Sequence, residues 1–243
     1  MSVKRILFPI VAVFVMAACG GNKEQVAENN DQQNNAVLSA EEQSQLTPDR
    51  VIEILKQGND DFINNRLTVR NNTERVKNAA EGQHPQAVIL SCLDSRVPVE
   101  DVFNQAIGDV FVARVAGNIV NPDILGSMEF ACKASGAKLV VVVGHGYCGA
   151  IKHAIDGTEL GNITEMLSKV KPAVARAKEG FEGETTSANP EFVDKVCHVN
   201  VEVMIEEIRK NSPILKEMED KGEIKIVGAM YDMHTGKVDF FAK

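Results

Sequence analysis

Four consecutive valines at 140–143, with Leu139 before them and Gly144 and His145 after, most constrain what this chain can fold into. β-Branched side chains lose rotamer freedom in a helix and pack well on a pleated surface, so the run reads as a strand. No polar residue alternates into it, so protein must cover both of its faces. A strand buried on both faces belongs to a mostly parallel sheet between layers of helices. Apolar runs at 87–90 and 110–113 precede it, and runs at 224–230 and 238–240 follow. Helical signals lie between these runs. Thr47-Pro48-Asp49 supplies a capping hydroxyl, a first-turn proline and an acid near the positive end of the helix dipole, before Val51, Leu55, Gly58 and Phe62 at helical spacing. Residues 124–135, and the set Val201, Ile205 and Ile208, also read as helical. The expected fold class is α/β: a central sheet of about four parallel strands plus a short edge strand, flanked by helices.

The N-terminus carries a different kind of signal. Lys4 and Arg5 precede an apolar run at 6–16 that falls short of the ~20 residues a membrane-spanning helix needs, so it reads as the core of a signal peptide. Ala17-Ala18-Cys19-Gly20 then resembles a bacterial lipobox, with Cys19 as the lipidated mature N-terminus. The alternative is an ordinary secretory signal cleaved after Ala18. Either reading exports the protein to the periplasm or cell envelope, with a membrane attachment only through a lipid on Cys19. Residues 20–46 are rich in Asn, Gln and Glu and too poor in apolar side chains to offset their ordering entropy. The expected organisation is signal peptide 1–18, flexible tether 19–46 and folded domain 47–243. The full chain has a net charge of −8, and loss of Lys4 and Arg5 takes it to −10. That balance, with 2 Tyr and no Trp, argues against a nucleic-acid partner.

In parallel sheets, ligands bind beyond the carboxyl ends of the strands. The first run ends Cys92-Leu93-Asp94-Ser95-Arg96, and the valine run ends Gly144-His145-Gly146-Tyr147-Cys148-Gly149. Two Cys and one His match a zinc set with one open position, the catalytic arrangement, whereas four protein ligands would be structural. Lone buried cysteines are more often inert core residues; two clusters at strand ends, among glycines, weigh against that here. Asp94 can accept a hydrogen bond beside a metal, and Arg96 can keep it ionised. Gly144-x-Gly146-x-x-Gly149 also satisfies a dinucleotide fingerprint. That reading needs a further strand ending in an acid about 20 residues on. Residues 161–200 show none, and 180–190 reads as a loop, so the glycines are expected to allow close backbone approach around the metal.

Cys92-x-Asp94-x-Arg96 followed by His145-x-x-Cys148 resembles the β-class carbonic anhydrases. The likeness also includes Gly108 to Arg114 with Ala116-Gly117-Asn118, Ser127-x-Glu129-Phe130, and Ile226 to Asp232 with Thr235-Gly236. The resemblance implies one Zn²⁺ per chain on Cys92, His145 and Cys148, with Asp94 and Arg96 as catalytic residues. It implies reversible hydration of CO₂ to bicarbonate, with Gln83, Phe111 and Gly149 in substrate binding. A homodimer or homotetramer follows, with N-terminal helices wrapped across the partner. Leu93, Val115 and Gly146 depart from residues common in the class, and none of the three is a metal ligand. Some members close their site by swinging the Asp onto zinc, aided by a Trp three residues before the first Cys; Ile89 stands there, so the resemblance implies an open site with Asp94 on Arg96. Alternatives are hydrolysis of carbonyl sulfide or carbon disulfide by the same ligands, and a non-enzymatic exported zinc carrier. His84, His153 and Tyr147 are proton-shuttle candidates by chemistry alone. Cys132 and Cys197 read as small buried hydrophobes, with a disulfide between them as the alternative.

Overall fold

The computed structural model describes residues 35–241. The signal peptide and Cys19 lie outside the described residues, as does the tether up to residue 34. Helices α1 (Ala40–Gln45), α2 (Pro48–Ile63) and α3 (Asn72–Ala79) precede strand β1 (Ala87–Ser91). Short α4 (Val99–Val102) leads to β2 (Val110–Arg114). A 3₁₀ turn at Ala116–Asn118, helix α5 (Pro122–Glu129) and a π-helical segment Phe130–Ala134 then lead to β3 (Leu139–His145). Helices α6 (Gly149–Ile155), α7 (Gly161–Ser168), α8 (Lys171–Lys178), α9 (Pro190–Asn211) and α10 (Pro213–Asp220) precede β4 (Lys225–Tyr231) and β5 (Val238–Phe240).

The sheet runs β2-β1-β3-β4-β5. The first four strands are parallel, and β5 pairs antiparallel on β4. The four-plus-one expectation therefore holds. Every residue of β1 and β3 is buried, as the unalternating valines require. Val88, Leu90, Val140 and Val142 face one core under α5 to α10, while Ile89, Val141 and Val143 face the other under α2 and α4. At ~1.5–3 kcal/mol for each fully buried large apolar side chain, these two cores rather than local propensity hold the sheet in place. The edge strand β2 is only half-buried.

The tether is shorter than expected. Ser39 and Glu42 form a capping box that starts α1. Gln43 is buried and its amide donates to the carbonyls of Pro85 and Ser135, at 2.7 and 2.8 Å. Asn35 is 1 % exposed and accepts from the Asn71 N–H. Residues 35–46 are thus folded onto the domain. Their polar composition concealed this because buried amides make much of the contact, with Leu46 against the core. No helix among the described residues is long and apolar enough to cross a membrane.

Candidate metal centre

The sheet delivers two chain segments to one point. β1 and β3 are neighbours, with Ser91 in register with Val143, so Cys92 and His145 emerge side by side from their carboxyl ends. Tyr147 then adopts a left-handed conformation at φ 56°, and the turn brings Cys148 back to cap α6. Cys92, His145 and Cys148 are 4, 1 and 1 % exposed, and their ligand atoms all lie within 4.8 Å of one another. The Cys92 and Cys148 sulfurs are 4.0 Å apart. Tetrahedral zinc with Zn–S near 2.3 Å would set its sulfurs about 3.8 Å apart, so the spacing fits.

The surrounding polar groups suit a bound cation. His145 Nδ1 pairs with the Gly146 carbonyl at 2.8 Å, which places its proton on Nδ1 and turns a bare Nε2 into the cluster. That Nε2 is buried without a hydrogen-bond partner. The Cys92 sulfur accepts from the Gly117 N–H at 3.4 Å. Its thiol is drawn down, chiefly by the Cys148 sulfur and, against burial, by the Gly117 N–H. Contact with Cys92 and burial push the Cys148 thiol up, as expected when two sulfurs share one proton.

Asp94 sits beside the cluster, with Oδ2 3.9 Å from His145 Nε2. Arg96 grips the carboxylate with three donors. Its N–H and Nε reach Oδ1 at 3.0 and 2.9 Å, and Nη2 reaches Oδ2 at 2.8 Å. The Arg96 side chain holds the Asp94 carboxyl well below the usual carboxylate range, its backbone N–H adds to this, and partial burial opposes it. Asp94 is therefore on Arg96, as expected for an open site. Ile89 is fully buried in the core beneath α2 and offers no anion-holding group.

Of the other expected residues, only Gly149 lies at the cluster. Gly149 opens α6 directly after Cys148. Gln83 is exposed and precedes the amino end of β1, whereas Cys92 follows the carboxyl end; five strand residues put about 17 Å between the two ends. Phe111 is paired with Val88, four residues before Cys92, or about 13 Å along the strand, and its ring meets Phe130 edge-on. The chain thus brings neither Gln83 nor Phe111 to its own cluster. His84 shares Gln83's end of the sheet, and His153, on α6, pairs its Nδ1 with the Thr158 hydroxyl just beyond that helix. Tyr147 hydroxyl pairs with His234 Nε2 at 3.0 Å.

Three features escaped the sequence reading. They are the Gly117 N–H on sulfur, the His234–Tyr147 pair, and the Arg114 contacts to the Cys92 and Asp94 carbonyls. Gly117 alone left a signal, a glycine just after a strand. The glycine expectation also needs correcting at Gly144: a Cβ there would meet Met230 and Val201 at 2.6 and 2.7 Å, so this glycine serves the packing of β4 and α9. Gly146 contributes the carbonyl that orients His145. Cys132 and Cys197 are free buried thiols.

Comparison with known proteins agrees with this geometry. The family profile described as carbonic anhydrase matches residues 87–238. Carbonic anhydrase 2 of Mycobacterium tuberculosis (strain CDC 1551 / Oshkosh) is 33% identical over 189 residues, covering 75% of this chain and 87% of the relative. A carbonic anhydrase of Mycolicibacterium smegmatis is 31% identical, covering 76% and 89%. Among solved structures, the Coccomyxa β-carbonic anhydrase in complex with acetazolamide superposes with TM-score 0.64 at 25% identity, covering 79% of this chain and 85% of that one. One of two tetrameric β-carbonic anhydrases from Sordaria macrospora gives 0.62 at 27%, covering 70% and 87%. With its parallel sheet, its Cys-His-Cys cluster and its Asp–Arg pair in place, this chain belongs to the carbonic anhydrase family, in the β class.

Proposed function

We propose that the chain catalyses reversible hydration of CO₂ to bicarbonate and a proton, with one Zn²⁺ held by Cys92, His145 and Cys148. The observation that carries this reading is the buried, unpartnered Nε2 of His145 facing two sulfurs. When bound, zinc lowers the pKa of a coordinated water towards ~7 and so supplies a nucleophile at neutral pH. The chain's own groups do the rest. Gly117 stabilises negative charge on the Cys92 sulfur, and the Gly146 carbonyl fixes the imidazole. Asp94, kept ionised by Arg96, can only accept hydrogen bonds; it orients the O–H of the attacking water and leaves a lone pair aimed at CO₂. The N–H groups that open α6 at Gly149 offer donors to the developing anion.

Gln83 and Phe111 serve substrate in this reading only if a second copy of the chain supplies them. An apolar groove on edge strand β2 supports such an assembly. It is lined by Phe111, Pro122, Ile124 and a Phe130 that is 56% exposed. A homodimer or homotetramer buries this groove, and the Sordaria macrospora relatives are described as tetrameric. The N-terminal helices that wrap the partner belong to the same proposal. Residues 1–19 support export and a lipid anchor on Cys19 at the cell envelope. Labelling with radioactive palmitate tests that anchor: Cys19→Ala should abolish incorporation and leave CO₂ hydration unchanged.

Stopped-flow CO₂ hydration by the purified zinc-loaded protein tests the activity. Turnover well above the buffer rate is expected. A protein that binds zinc stoichiometrically but hydrates no CO₂ while hydrolysing carbonyl sulfide would replace the substrate assignment; one with zinc and neither activity would favour a carrier.

A further inference from the structure

Arg114 has a function that its place at the end of an edge strand does not suggest. It is the last residue of β2, in register with Ser91, and the ladder closes with the Val115 N–H on the Ser91 carbonyl at 3.1 Å. Beyond that point the segment carrying Cys92 and Asp94 leaves the sheet, and its carbonyls lose strand partners. The Arg114 guanidinium takes up the Cys92 and Asp94 carbonyls, the latter shared with the Val97 N–H at 3.1 Å. Its Nε donates to the Cys92 carbonyl at 3.2 Å and its Nη2 to the Asp94 carbonyl at 2.6 Å. One rigid planar group thus ties the backbone of a metal ligand to that of the acid two residues on.

That tie matters because Asp94 is placed to compete for the metal. Its Oδ2 is 3.9 Å from His145 Nε2, close to the 4.0 Å between the two sulfurs, and carboxylates are good zinc ligands. A small swing of the segment would put the carboxylate in the open position. Arg96 restrains the carboxylate itself through a side chain that is 56% exposed. Arg114 restrains the backbone from which that carboxylate hangs. We propose that Arg114 is a positioning residue that clamps the Cys92–Asp94 backbone and keeps Asp94 out of the metal's open coordination position. The proposal rests on the metal reading above.

Cobalt(II) substitution provides a readout besides turnover, because its visible spectrum reports the fourth position. In the wild-type protein azide should enter that position and shift the spectrum. Arg114→Met should keep about one metal per chain but need roughly tenfold more azide for the same shift. It should lower kcat while leaving KM unchanged or lower. Adding Asp94→Asn to Arg114→Met should restore the azide response, because an amide competes poorly for the metal. Arg114→Lys, which keeps the charge but loses the planar fork, should fall between. If Arg114→Met does not retain metal, Arg114→Lys takes its place with the same readings. An azide response within twofold of wild type, a raised KM at unchanged kcat, or no restoration in the double variant overturns the clamp. A wild-type protein that takes up no metal overturns the metal reading itself.

Discussion

Cys92 and Cys148, and Cys132 and Cys197, form two pairs of buried thiols in one domain, and burial does not distinguish them. All four are at most 4% exposed. Cys132 lies in the π segment after α5 among apolar neighbours, and Cys197 lies within α9, where the Cys148 N–H reaches its sulfur but burial outweighs it. Burial pushes both of those thiols up to about 12. Cys92 is no better solvated than these by exposure, yet its thiol moves the other way, because a second sulfur and the Gly117 N–H converge on it. The difference is one of converging polar partners at strand ends. A helix interior has spent its N–H groups on its own carbonyls, whereas the turns that follow β1, β2 and β3 still have N–H groups to offer.

The largest break in that comparison is at Cys148. Cys148→Ser should lose nearly all zinc by elemental analysis and drop CO₂ hydration to background, while far-UV circular dichroism stays native. A serine variant that keeps one zinc per chain would show that Cys148 is not a ligand. Next comes Asp94, which touches the same cluster without belonging to it. Asp94→Ala should keep its zinc and lose roughly 10- to 100-fold in kcat, the usual scale for a group that orients what a metal holds. Equal losses of zinc and activity would mean that Asp94 matters for metal retention instead.

The buried strands were legible because valine runs admit few alternatives, and every expected strand is present within two residues of its expected bounds. The metal set was legible for a related reason. Cys92 and His145 each lie just past, or at the end of, one of two adjacent central strands, so the sheet that the pattern implies must bring them together. What was not legible needed the third dimension. Residues 35–46 looked like a tether because Asn35 and Gln43 read as solvated amides, yet each finds buried partners from segments far along the chain. Gln83 and Phe111 carried family roles, but their positions on β1 and β2 keep them from their own chain's cluster. Arg114 was legible only as the end of a family-like segment, and the fold alone shows its two carbonyl partners.

The smallest expected effect sharpens the comparison from its silent side. Cys132 has no metal to protect it, and its protection should come from burial alone. A thiol whose pKa is about 12 holds a thiolate fraction on the order of 10⁻⁴ at pH 8, and the thiolate is the species that alkylates. Native protein treated with iodoacetamide at pH 8 should therefore leave Cys132 unmodified, whether zinc is present or has been stripped by a chelator. Cys92 should become labelled only after stripping, since its thiol is drawn down and the metal is what blocks it. Linkage fixes the sign of the accompanying pH effect. The folded pKa of Cys132 lies above an unfolded value of about 8.5, so its contribution to stability is fully present below that pH and is lost as pH rises towards 12. Cys132→Ala should remove this alkaline loss and cost about 1 kcal/mol at neutral pH for the sulfur-sized gap it leaves. Peptide mapping by mass spectrometry decides the matter: Cys132 labelled as fast as stripped Cys92 would mean that burial alone does not silence a thiol in this fold.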